Sequence, residues 1–109
     1  MYYVSNAFSL NMVGSNCQIR VINLTLSQAR AFMEKSPESF TGHSDVASIM
    51  SAELGTPVSE NRSNLSLQFG DELLVAQYSG PRLASGATAL PEGATIRWIR
   101  VVVEYLDFI

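Results

Sequence analysis

The chain has 109 residues, of which 47% are hydrophobic and 16% charged, and a formal net charge of −3. That length holds one core of ordinary size and leaves no room for a second domain. The acidic balance excludes broad adhesion to duplex nucleic acid or to an anionic membrane, so any nucleotide ligand has to be gripped locally by a few side chains.

Taken in chain order, Tyr2-Tyr3-Val4-Ser5 is predicted to form a first strand, and Asn6-Ala7-Phe8-Ser9-Leu10-Asn11-Met12 an ordered loop that ends before Gly14. Residues 18–24 are rich in β-branched side chains, with Ile19 and Val21 on one face and Ile22 and Leu24 on the other. That pattern predicts a central strand covered on both sides. Thr25 and Gln28 form a T-x-x-Q capping box, after which Leu26, Ala29, Phe32 and Met33 share one helical face until Pro37 ends the helix. A second helix starts near Ser44, with Val46, Ile49, Met50 and Leu54 at helical spacing and Gly55 and Pro57 as its stop. Met50 is therefore a core residue.

Leu65, Leu67 and Phe69 alternate with Ser66 and Gln68, which predicts a strand with one wet face. Gly70-Asp71 then reads as a two-residue hairpin turn into a buried strand, Leu73-Leu74-Val75-Ala76, that delivers Gln77 and Tyr78 to its end. Residues 79–94 contain Gly80, Pro81, Gly86, Pro91 and Gly93. A loop of roughly 15 residues is long for a simple connection and suits an active-site lid. Residues 96–105 form the last strand, with Ile99, Val101, Val103 and Tyr105 on one face and Trp98 and Val102 on the other. The expected fold is α/β: a single mixed sheet of about five strands, two to three packed helices and a long lid loop.

Chemistry-bearing residues are few. Cys17 stands alone, so it forms no internal disulfide and reads as a reduced structural thiol in a cytosolic protein. One His, one Cys and scattered carboxylates make no recognisable metal-ligand set, and no cofactor motif is present. The N-terminus lacks the basic and apolar regions of a signal peptide, and no apolar run approaches about 18 residues, so a soluble cytoplasmic protein that does not enter a membrane is expected. The single histidine, His43, opens the second helix in Thr41-Gly42-His43-Ser44-Asp45-Val46. Imidazole changes charge near neutral pH, and the unpaired N–H groups of a helix's first turn attract phosphate. That placement suggests phosphate chemistry.

Three segments stand out together: residues 6–12, Gly42-His43-Ser44-Asp45, and Gln77-Tyr78-Ser79-Gly80-Pro81-Arg82-Leu83. In order and spacing they resemble the viral anti-CRISPR ring nucleases, small dimeric proteins of archaeal viruses and phages, over nearly the whole chain from Tyr3 to Tyr105. The resemblance implies one ring-nuclease-like domain over residues 1–109 that cleaves cyclic tetra-adenylate, the messenger of type III CRISPR defence, without a metal or cofactor. It implies His43 as the catalytic residue, Arg62, Gln77 and Arg82 as ligand-binding residues, and Ser9 and Asn11 in a first binding segment, with Asn6 as a further match of that kind. It also implies a homodimer that clasps the ring at the subunit interface. The family carries a glutamate shortly after the loop arginine, where this chain has Ser85 in Arg82-Leu83-Ala84-Ser85-Gly86. Serine is no carboxylate base, so turnover is expected to be slower, or absent in a binding sponge, unless Glu92 on the same loop takes its place.

Overall fold

In the computed structural model, which describes residues 1–14 and 16–106, one five-stranded mixed sheet carries two α-helices. The strands are β1 (Tyr2–Ser5), β2 (Gln18–Leu24), β3 (Glu38–Ser39), β4 (Glu72–Ser79) and β5 (Thr95–Glu104), in the spatial order β2-β5-β4-β1-β3. β1 pairs in parallel with both β4 and β3, while β5 pairs antiparallel with β4 and β2. The α/β expectation of one mixed sheet with packed helices therefore holds.

Helix α1 (Leu26–Phe32) begins where the sequence marks it. The Thr25 hydroxyl accepts the Gln28 N–H at 3.1 Å and the Gln28 side-chain oxygen accepts the Thr25 N–H at 2.9 Å, so two orphan donors of the first turn are satisfied reciprocally. A 3₁₀ turn, Met33–Lys35, and Ser36 at φ 52° complete the exit. Helix α2 (Ser44–Leu54) ends on Gly55 at φ 69°, the left-handed cap that glycine adopts without a Cβ penalty.

Each sheet face has its own apolar layer. On the helix side, Val4, Leu74, Ala76 and Trp98 pack with Ala29, Phe32, Met33, Ala47, Met50 and Leu54. On the other side, Leu73, Val75, Ile99, Val101 and Val103 pack with Leu65 and Leu67, flanked by Tyr3, Phe8, Met12 and Ile19. Leu73 and Leu74 are fully buried on opposite faces, each removal from water worth roughly 1.5–3 kcal/mol. β4 is the centre of the molecule for this reason.

Two strand expectations are corrected. β2 is an edge strand, not a central one: Ile19 and Leu24 reach the two layers, but Val21 is 57% exposed. Its β-branched run reflects one-sided pairing with β5, which a residue-type pattern does not distinguish from a covered strand. Residues 65–69 are also not a sheet strand, and the hairpin into β4 does not form. Both edges of β4 are taken by β1 and β5, so the alternating segment lies beneath the second face and, among the described residues, bridges only through Leu67 to Val13. The turn itself exists: Asp71 N–H donates to the Gln68 carbonyl at 3.0 Å, Gly70 takes φ 87°, and the Asp71 carboxylate accepts the Gln68 N–H at 2.8 Å. It turns Asp71 inward, 3.2 Å from the N-terminal ammonium, instead of joining two paired strands. The fifth strand is β3, two residues long and silent in the pattern.

Burial raises the Tyr3 phenol above its ordinary range, with help from the Asp71 and Glu38 carboxylates. The 2.7 Å bond from Arg100 to Glu72 strengthens the charged form of that guanidinium against its desolvation. No described helix is long and apolar enough to cross a membrane.

Candidate functional site

Because β1, β3 and β4 are parallel, their carboxyl ends lie at the same end of the sheet. Asn6 follows β1, Phe40-Thr41-Gly42-His43 follows β3, and Gln77, Tyr78 and Ser79 close β4. The three segments singled out in the sequence therefore leave the sheet side by side, where open α/β sheets place their ligands.

The approach to His43 is fixed from below. Phe40 N–H donates to the Val4 carbonyl at 2.8 Å, and the Ser5 hydroxyl donates to the Phe40 carbonyl at 2.9 Å. Gly42 N–H donates to the Asn6 side-chain oxygen at 3.2 Å. Thr41 is wholly buried against Met50 of α2, and its carbonyl accepts the Asn61 N–H at 2.8 Å. His43 itself is the N-cap residue of α2, with extended backbone and an exposed ring that makes no capping bond. The imidazole is thus held at the helix start by its backbone and left available by its side chain.

His43, Asp45, Val46, Tyr78, Arg82, Leu83 and Ser85 line a cleft of about 540 Å³ beneath the loop of residues 80–94. Arg82 is exposed and, among the described residues, makes no ion pair. The Tyr78 hydroxyl donates to the Pro81 carbonyl, and the Asp45 carboxylate accepts the Gly86 N–H at 3.0 Å. An imidazole and a guanidinium facing one cavity can together bind an anionic oxygen and move a proton.

Four of the other expected ligand residues line two further hollows. Asn6 and Gln77 line a groove on the second sheet face with Phe8, Val21, Arg97 and Ile99. Ser9 and Asn11 line a third hollow of about 480 Å³ with Phe40, Ser63, Asn64 and Ser66. Ser9 also caps a short 3₁₀ helix, Leu10–Met12, its hydroxyl accepting the Asn11 N–H at 3.3 Å. Arg62 stands next to that third hollow in sequence, is 76% exposed at its side chain, and lies 3.4 Å from Glu60. The chain thus brings His43 and Arg82 into one cleft and leaves Asn6 and Gln77, Ser9 and Asn11, and Arg62 outside it.

Sequence reasoning missed Tyr78 and Asp45 as cleft residues, although both lie in the segments that it singled out; their signal is position, at a strand end and in a helix's first turn. Ser85 lines the cleft, whereas Glu92 is exposed and outside its lining. Among the described residues no three His, Cys, Asp or Glu side chains come together.

Comparison with known proteins agrees with the architecture. A family model described as STIV B116-like matches residues 2–96. The solved structure of B116 of Sulfolobus turreted icosahedral virus superposes with a TM-score of 0.79 at 23% identity, over 93% of this chain and 97% of that one. No curated protein matches the chain.

Proposed function

The chain belongs to the STIV B116-like family, and from that premise we propose that it is a metal-independent ring nuclease that cleaves cyclic tetra-adenylate and so antagonises type III CRISPR defence from the cytoplasm of a virus-infected host. The observation that carries the reading is the shared cleft of His43 and Arg82 at the start of α2.

The substrate brings its own nucleophile. A ribose 2′-hydroxyl attacks the adjacent 3′ phosphorus, the bond to the 5′ oxygen breaks, and a 2′,3′-cyclic phosphate and a 5′-hydroxyl result. His43 in its protonated form gives a proton to the departing 5′ oxygen, and the proton of the attacking hydroxyl passes to solvent. Arg82 pairs two phosphate oxygens through its planar fork while the first-turn N–H groups of α2 face the same charge. In-line alignment and acid help each contribute several kcal/mol, the latter typically about 10² to 10⁴ in rate.

The ring has two-fold symmetry and four phosphates, which suits a homodimer with the ligand on its axis and with Arg62 and Arg82 contributed twice. A second protomer also offers a reason for hollows that remain separate within one: Asn6, Ser9, Asn11 and Gln77 then hold sugars or adenine edges of a ligand that spans both copies. A second reading, a sponge that binds the ring with little turnover, is favoured by Ser85 in the cleft and Glu92 outside it.

The test is incubation of the purified protein with cyclic tetra-adenylate and a chelator, with products followed by chromatography beside His43→Ala. Chelator-resistant conversion to linear di-adenylates that is lost in the variant supports the enzyme; tight binding without products supports the sponge. Absence of binding overturns both.

A further inference from the structure

The loop of residues 80–94 is bonded mainly to itself: Ala87 N–H donates to the Ala84 carbonyl at 3.1 Å and Ala94 N–H to the Pro91 carbonyl at 3.0 Å. Among the described residues, one hydrogen bond joins its middle to the body of the protein. That bond runs from the Gly86 N–H to Asp45 Oδ1 at 3.0 Å, between groups 41 residues apart in the chain. At the other end, the Tyr78 hydroxyl holds the Pro81 carbonyl. These two ties bracket residues 82–85, and Arg82, Leu83 and Ser85 of that arch line the cleft opposite His43.

Asp45 is suited to be an anchor. It is half-buried in the first turn of α2, where the helix end favours a negative charge, and a charged acceptor makes the stronger bond to an amide. We propose that Asp45 is a positioning residue: by holding Gly86 it sets the span of the 82–85 arch and hence where the Arg82 guanidinium meets the ligand. The kinetic consequence rests on the ring-nuclease reading; the anchoring itself does not.

The test compares the full-length protein with Asp45→Ala, which has no acceptor, and Asp45→Asn, whose amide oxygen can still accept. Amide hydrogen exchange at Gly86 is expected to be about three- to tenfold faster in Asp45→Ala and restored in Asp45→Asn, the range one net hydrogen bond supports. With cyclic tetra-adenylate, Asp45→Ala is expected to raise KM by a similar factor at nearly unchanged kcat, and Asp45→Asn to stay close to the parent. Equal Gly86 exchange in all three proteins overturns the anchor. A fall of about a hundredfold in kcat for both variants at constant KM overturns it as well, because the carboxylate then acts on the reacting atoms. If the parent protein does not bind the ring, the ring-nuclease reading fails while Gly86 exchange still decides the anchor.

Discussion

The side-chain oxygen of Asn6 accepts the backbone N–H of Gly42 at 3.2 Å, so the residue that follows β1 holds the residue immediately before His43. This gives Asn6 a structural task beside any ligand contact. Asn6→Ala is expected to lose about 0.5–1.5 kcal/mol of stability in urea denaturation. Asn6→Asp, which keeps an acceptor, should recover most of it. Equal stability of Asn6→Ala and the parent would show that this bond does not hold the approach to His43.

His43 should be separable from the fold. Its ring is exposed and caps nothing, so His43→Ala is expected to shift stability by no more than about 0.5 kcal/mol. Cleavage of cyclic tetra-adenylate should fall by about 10² to 10⁴. Retained single-turnover cleavage by a folded variant would remove the imidazole from the chemistry.

For Arg82 the geometry of the head group matters as well as its charge. Arg82→Lys is expected to bind the ring less tightly than the parent, and Arg82→Ala less tightly again, because an ammonium cannot form the paired bonds of a guanidinium. Calorimetric titration at low and high salt checks this: the salt dependence should persist in the lysine variant and diminish in the alanine variant.

Gly80 is the neck of the loop. Its φ of 151° disfavours other residues, and a Cβ there would lie 2.7 Å from the Ala94 Cβ and 2.8 Å from its Cα. Gly80→Ala should therefore part the two ends of the loop, destabilise the protein by about 1–3 kcal/mol, and weaken ring binding through displacement of Arg82. A variant with parental melting and affinity would contradict the close approach.

Alkaline pH should weaken the fold through Tyr3. Burial, with Asp71 and Glu38, raises its phenol in the folded chain, so the neutral form is the one that the fold favours. A group whose folded value exceeds its unfolded value contributes fully below the unfolded value, about pH 10, and loses that contribution as pH rises through the folded one. Urea midpoints should therefore fall as pH rises above about 10, and less steeply in Tyr3→Phe. Parallel pH profiles would assign the alkaline loss elsewhere.

Legibility in the sequence followed the range of the forces involved. The Thr25–Gln28 capping box, the apolar face of α2, its Gly55 stop and the run of β4 are written in neighbouring residues, and the structure repeats them within a residue or so. The rest depends on partners remote in sequence. β3 is a strand only because Tyr3 and Val4 lie alongside Glu38 and Ser39. Residues 65–69 have the alternation of a strand, and Leu65 and Leu67 are buried as that alternation requires, yet β4 has no unoccupied edge to offer them. At the site, His43 and Arg82 were legible as chemistry, and the cleft joins them. Asp45 and Tyr78 were not, because hydrogen bonds to a distant or folded-back loop decide their surroundings.

The parallel run of β1, β3 and β4 has a consequence for how such a molecule can change. Each chemical segment is rooted at one strand terminus, and the two oily layers lie below all of those roots. Polar residues at this rim can be exchanged one stretch at a time without repacking the interior. Retuning the scaffold toward a new anionic guest is thus a matter of rewriting three short overhangs, while the slab that carries them is left as it is.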